Sequence, residues 1–217
     1  MSIVSCKKIS FKYEEDKKYL FKNLSFNLER GQILWLSGKS GSGKTTLLYL
    51  LCRIIPLVIK GFSEGDIFIK RKNTQKFTLN EISKEIGFLW QNPSQQLFQP
   101  SVELELAFYP ENLLIEAKTI KNKIKRILNE FEIAQLKNRD PAFLSFGEKK
   151  LVALASILTC NPDIFILDEP TTGLSIQKQN IVINKIRFLK EINKTIIVAD
   201  NNPVFKDISS QKINISN

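Results

Sequence analysis

Histidine is absent from the 217-residue chain, so no imidazole is available as a base, a phosphate donor or a metal ligand. Cysteine occurs three times, at Cys6, Cys52 and Cys160. No two of them stand at metal-ligand spacing, and the scatter reads as buried thiols in a reducing, cytosolic compartment. No apolar run approaches the roughly 18 residues that span a bilayer, and the opening MSIVSCKKIS lacks the apolar centre of a secretion signal. Arginine is scarce beside lysine, supplying six of the 32 basic residues. The net charge of +10 is therefore mostly lysine, spread along the chain. A nucleic-acid footprint would more often be a basic stripe with interleaved aromatics, so the charge reads as solvated lysine faces and no nucleic-acid partner is expected. Weak attraction to anionic lipid headgroups is compatible with it.

What is present is an ordinary globular composition, 43% apolar and 25% charged, long enough to bury a full core. Two strands, 3–13 and 19–28, are joined by the charged turn EEDKK. A continuous apolar strand QILWLS (32–37) leads through a glycine-rich turn into the helix TLLYLLCRI. GDIFIK (65–70), IGFLW (86–90), DIFILDEP (163–170), TIIVA (195–199) and KINIS (212–216) read as further strands. Helical patterns lie between them, including TIKNKIKRILNEF (119–131), a helix at about 146–158 and another at about 175–189. Strands alternating with helices predict an α/β fold with a mainly parallel sheet, N-terminal antiparallel strands and a helical subdomain at about 92–155, all within one domain over 1–217.

Two stretches carry chemistry. GKSGSGKTT (38–46) fits G-x-x-x-x-G-K-[ST] between a strand and a helix. Gly38, Gly41 and Gly43 let backbone N–H groups turn inward on phosphates alongside Lys39, Ser40 and Ser42, and the helix that follows favours negative charge at its start. Lys44 is expected to reach the β- and γ-phosphates, Thr45 to bind Mg²⁺, and Thr46 to complete the loop. In IFILDEP (164–170) the apolar strand ends in Asp168, suited to the Mg²⁺ shell, and Glu169, placed to orient or deprotonate an attacking water. LSFGEKK (144–150) supports two compatible readings. Ser145 and Glu148 form a capping box, and the same helix N-terminus, with Ser145 and the Gly147 backbone, suits a phosphate of a second nucleotide.

In that order, Gly38–Thr46, Gln91 after a buried strand, LSFGE and ILDEPTTGL resemble the ATP-binding cassette (ABC) ATPases over about residues 3–202. The resemblance implies a P-loop ATPase that uses ATP and Mg²⁺. It also implies a head-to-tail dimer with a second ABC ATPase subunit, each ATP lying between one chain's phosphate loop and the other chain's Ser145–Gly147 region. Tyr13 falls where the family stacks an aromatic on adenine; the ordinary reading is a core strand residue beside Phe11. Gln91 falls at the glutamine loop, touching Mg²⁺ or water. LWQNPSQQLFQPSVELELAF (89–108), followed by PEN (110–112), is similar to the ATPases of energy-coupling factor transporters. That narrower likeness implies uptake of a vitamin or metal ion, and an integral membrane partner met through Gln91–Phe98. Such a subunit would sit peripherally on the cytoplasmic face of the cell membrane. A mainly ATP-binding regulatory partner, or a soluble cassette acting on nucleic acid or ribosomes, are the alternative roles.

Four positions depart from the family pattern. Phe146 stands where glycine is usual, with Glu148 for glutamine beside it, and Ser175 stands where aspartate is expected. Asp200 stands at the position of the switch histidine that senses the γ-phosphate. An ionised carboxylate accepts hydrogen bonds and repels phosphate, so Asp200 either degrades this site or turns away to another partner, leaving Asn201 to donate. These departures lead to the expectation of an asymmetric heterodimer in which this chain's own site turns over slowly.

Overall fold

The computed structural model describes residues 2–215; Ser216, the end of the expected strand KINIS, lies outside them, as do Met1 and Asn217. The chain opens with β1 (Ser2–Tyr13) and β2 (Phe21–Glu29), then β3 (Ile33–Ser37), α1 (Lys44–Leu51) and the short α2 (Ile54–Leu57). β4 (Gly61–Ile69), β5 (Lys72–Asn73), α3 (Leu79–Glu85) and β6 (Ile86–Leu89) follow. Next come α4 (Val102–Asn112), α5 (Ala117–Glu130), α6 (Phe146–Thr159) and β7 (Ile164–Asp168). The chain closes with α7 (Ile176–Glu191), β8 (Thr195–Ala199), α8 (Val204–Ile208) and β9 (Gln211–Asn214).

Two sheets result. An antiparallel sheet has the order β2-β1-β4-β5, and a parallel one the order β6-β7-β8-β3-β9. The central strands ILWLS, IFILD and TIIVA are buried along their whole length, as strands covered on both faces must be. Alternate side chains point to opposite faces, and the packing follows that period. Ile33, Trp35, Phe165, Leu167, Ile196 and Val198 face the core built with α4, α5, α6 and α7. Leu34, Leu36, Ile164, Ile166, Ile197 and Ala199 face the core shared with α1 and the antiparallel sheet. The amphipathic α5 buries Ile120, Ile124, Ile127 and Leu128, the i, i+4, i+7, i+8 stripe of one helix face.

The elements differ from the sequence-based expectation in three places. β4 starts at Gly61, four residues early, because Tyr13 of β1 pairs with Gly61. The helix after the phosphate loop stops at Leu51, where Arg53 adopts a left-handed φ of +59°. Asn202 and Pro203 introduce the short α8 rather than an open loop, with Asn202 Oδ1 accepting from Val204 N at 3.1 Å.

Candidate functional site

The turn between β3 and α1 wraps around the ammonium of Lys44. Its Nζ donates to the carbonyls of Gly38 (2.8 Å) and Lys39 (3.0 Å), and the residue is 6% exposed. Gly38 has no room for a side chain: a Cβ there would lie 2.3 Å from the Ile215 carbonyl oxygen and 2.8 Å from Ser42 Oγ. Gly43, at φ +101°, heads α1 with no side-chain cap, so the first N–H groups of the helix have no side-chain acceptor and are available to an anion.

The loop is joined to β7 by one hydrogen bond, from Thr45 Oγ1 to Asp168 Oδ2 at 2.8 Å. Asp168 Oδ1 and Ser42 Oγ are buried and have no hydrogen-bond partner. Burial pushes the Asp168 carboxyl up to about 6, against the favourable hydroxyl bond. A hydroxyl and a carboxylate with an unsatisfied oxygen form a hard-oxygen pair that fits Mg²⁺.

Tyr13, Ser40, Gly41, Gly43, Lys44, Thr45, Thr46, Gln91 and Glu169 line one cleft of about 280 Å³, together with Leu20. Tyr13 is half-buried at the end of β1. Its ring meets Phe11 edge-on at 4.9 Å, and its hydroxyl shares a 2.7 Å hydrogen bond with Thr46 Oγ1, which brings the end of β1 against the phosphate loop. Gln91 is exposed, whereas Glu169 is half-buried. Glu169 has a left-handed φ of +49°, uncommon for a residue with a side chain.

Ser145 and Gly147 do not line this cleft. They sit at the start of α6, where the capping box is complete: Ser145 Oγ accepts from Glu148 N (3.4 Å) and Glu148 Oε2 accepts from Ser145 N (2.9 Å). Hydrogen bonds from Ser145 hold the Glu148 carboxyl below its ordinary value. The Phe146 ring packs against Gly173, where an added Cβ would approach it to 2.7 Å. Ser175 caps α7 by accepting from Lys178 N at 3.4 Å, a task that serine and aspartate perform comparably.

Asp200 is 2% exposed and does not line the cleft. Its Oδ2 accepts from the N–H (3.0 Å) and hydroxyl (2.7 Å) of Thr171, and its Oδ1 accepts from Asn202 N (2.8 Å). The carboxylate is thus directed at Thr171 and Asn202. The expected substitute donor, Asn201, is exposed; it is Asn202 that joins the network, donating to Gln179 Oε1 at 3.2 Å.

Sequence reasoning passed over two residues. Lys150 is 1% exposed and donates to the carbonyls of Glu169 (2.7 Å) and Thr172 (3.2 Å); its burial lowers the ammonium's pKa. The signal was a lysine on the same helical stripe as Leu154 and Ile157 of α6. Glu105 is 5% exposed and accepts from the N–H groups of Phe98 and Gln99, both at 2.9 Å, thereby holding the loop after Gln91.

Comparison with known proteins agrees with this geometry. Residues 21–172 match the ABC transporter family model. A putative ABC transporter ATP-binding protein of Pyrococcus abyssi is 36% identical over 94% of this chain and 74% of the relative. CbiO1 of Clostridium perfringens, part of the ABC transporter complex CbiONQ, superposes with a TM-score of 0.83 at 26% identity, covering 99% of this chain and 85% of that one. The dimeric post-hydrolysis structure of the cassette MJ0796, bound to ADP and Pi, gives a TM-score of 0.82 at 26% identity, covering 98% and 94%. With the phosphate loop, the Asp168–Glu169 strand end and the capped α6 in place, the chain belongs to the ABC transporter family as an ATP-binding domain.

Proposed function

We propose that this chain binds ATP with Mg²⁺ in the cleft between the phosphate loop and Glu169, and that hydrolysis there powers uptake through a separate membrane protein of the energy-coupling factor type. The observation that carries this is the convergence of the loop and β7: Thr45 bonded to Asp168 at 2.8 Å, with Lys44, Gln91 and Glu169 lining the same cleft. Lys44 and the backbone N–H groups of residues 38–46, with Lys39, Ser40, Ser42 and Thr46, hold the phosphates. Tyr13 flanks the base. Glu169 orients or deprotonates the attacking water, with Gln91 beside it. Mg²⁺, held by Thr45, Asp168 and Gln91, would neutralise charge on the phosphates when bound.

Ser145 and Gly147, away from this cleft, are assigned to the ATP of a second cassette in a head-to-tail dimer. The retracted Asp200 favours slow turnover at this chain's own site, and Phe146, assigned with Ser175 to the partner's nucleotide, favours an unlike partner. The partner in the membrane is assigned to the Gln91–Phe98 region, whose Gln96 and Phe98 line a groove of about 260 Å³ with Phe108 and Tyr109. Phe98 is 64% exposed there and stacks edge-on with Phe108 at 4.8 Å. No helix among the described residues is long and apolar enough to cross a membrane. The subunit is proposed to sit peripherally on the cytoplasmic face, through that partner. The likeness to a component of the CbiONQ transporter complex supports a role in transport, and a vitamin or a metal ion is the substrate proposed.

The test is steady-state ATP hydrolysis by the purified chain, alone and with its partner cassette, beside a Glu169→Gln control. The expected result is ATP binding with little turnover alone, turnover in the assembled pair, and a loss of about 10²-fold or more in the control. Full turnover by the chain alone, abolished in the control, would overturn the unlike-partner reading. Turnover unaffected by Glu169→Gln would overturn the assignment of the base.

A further inference from the structure

The turn 169–172 positions the side chain assigned above to the attacking water, and its one internal backbone bond is long, from Thr172 N to the Glu169 carbonyl at 3.3 Å. Glu169 takes a left-handed φ of +49°, a conformation that a residue with a Cβ keeps only when its surroundings impose it. Three restraints reach it from outside the turn, and one is ordinary sheet bonding, from Glu169 N to the Ala199 carbonyl at 2.7 Å. The other two come from buried charges of opposite sign. Lys150, 1% exposed, takes the carbonyls of Glu169 and Thr172 at 2.7 and 3.2 Å. Asp200, 2% exposed, takes the N–H and hydroxyl of Thr171 at 3.0 and 2.7 Å. Burying a charge is costly unless its hydrogen bonds are made, and both groups direct most of theirs at these four residues.

We infer that Lys150 and Asp200 are positioning residues: a buried clamp, one jaw from α6 and one from the end of β8, that sets the direction in which Glu169 faces the cleft. Asp200 then owes its identity to three N–H and O–H donors that a carboxylate accepts together, rather than to contact with a phosphate. Lys150 also lies under the Phe146 ring, 5.0 Å from its centre, so the clamp joins the start of α6 to the turn carrying Glu169. The proposal rests on the reading of Glu169 as the residue acting on water, and the test separates the two.

The full chain, with its partner cassette where turnover requires it, is compared with Lys150→Met, Asp200→Ala, Asp200→Asn and Glu169→Gln. Hydrogen–deuterium exchange reads the clamp without reference to activity. Peptides covering 169–173 are expected to exchange about tenfold faster or more in Asp200→Ala, which strips Thr171 N of its acceptor, and in Lys150→Met, which leaves the Glu169 and Thr172 carbonyls unpaired and so loosens the turn, while β3 and α7 stay within about twofold. Glu169→Gln is expected to leave exchange unchanged and to abolish turnover. In kinetics, Lys150→Met and both Asp200 variants are expected to lower kcat about tenfold or more, with the Kd for ATP within about threefold, because the turn and not the phosphate loop is disturbed. Asp200→Asn keeps one acceptor oxygen but turns an NH₂ on the remaining donors, so an intermediate rise in exchange, about threefold, is expected there; it alters the side chain least and serves if the other variants fail to fold. Unchanged exchange at 169–173 in folded Asp200→Asn would overturn the clamp. So would tighter ATP binding or faster turnover in that variant, the result expected if the carboxylate repels the γ-phosphate. Turnover surviving Glu169→Gln would overturn the base assignment instead, with the exchange data still deciding the clamp.

Discussion

Replacing Asp168 with asparagine is expected to stabilise the nucleotide-free protein above pH 6. Asp168 is 1% exposed; Oδ2 accepts from Thr45, and Oδ1 is buried without a partner. Burial raises its carboxyl from 3.8 to about 6. At about 1.4 kcal/mol for each pH unit, keeping it ionised in the fold costs about 3 kcal/mol. The folded state holds this proton more tightly than the unfolded chain does. The cost is therefore fully present above about pH 6, shrinks as the pH falls, and is gone below about 4, where both states are protonated. Asparagine keeps an acceptor for Thr45 but adds a buried NH₂, for which about 1 kcal/mol is subtracted. The net expectation is a gain of about 2 kcal/mol at pH 8 and a loss of about 0.5–1 kcal/mol at pH 4. Urea unfolding in EDTA, followed by the fluorescence of Trp35 and Trp90, measures it. An Asp168→Asn protein no more stable than wild type at pH 8, or a difference that does not change between pH 4 and 8, would refute the reasoning.

Ile124→Ala, on the buried stripe of α5, is expected to cost about 2–5 kcal/mol in the same urea assay. Glu105→Ala leaves the amides of Phe98 and Gln99 without their acceptor and is expected to lose about 2–3 kcal/mol and to speed proteolysis of that loop; Glu105→Gln, which keeps a carbonyl oxygen, should lose under about 1 kcal/mol. Asp163 meets Arg30 at 3.1 Å, Lys70 at 2.8 Å and Lys194 at 3.5 Å, and the first two of these hold its carboxyl well below the usual carboxylate range. Asp163→Asn should therefore cost about 1–2 kcal/mol at pH 7. That difference from wild type should narrow as the pH falls below about 4 through the depressed native pKa.

The strongest signals in the sequence are those in which one residue type has one backbone use. The glycines of 38–43 followed by Lys44 and Thr45, and the apolar run ending in Asp168-Glu169, place the cleft because strand period and loop chemistry are both local. The parallel order of β7, β8 and β3 follows from apolar strands separated by helices. Lys150 and Asp200 were harder to read because their meaning depends on direction. A lysine on an apolar stripe can snorkel to solvent or turn inward to carbonyls, and only the packing of α6 against the β7 turn decides between them. Likewise, alignment set Asp200 at the sensor position, but Thr171 and Asn202 supply donors on the side away from the cleft. The early start of β4 escaped notice because GFSEG has little apolar alternation; its pairing with β1 makes it a strand.

Lys44 gives the cleft a property that a list of its contacts does not convey. An ammonium in water is surrounded by solvent that an arriving anion must displace. Here the group is 6% exposed and rests on the carbonyls of Gly38 and Lys39. Its dehydration belongs to the free energy of folding rather than to that of binding. A phosphate entering the loop thus competes with two backbone dipoles for a bare cation, in surroundings where the attraction between opposite charges is several times stronger than in bulk water. The chain folds with its principal cation already dry, so affinity for the nucleotide is drawn in part from stability that the fold has given up.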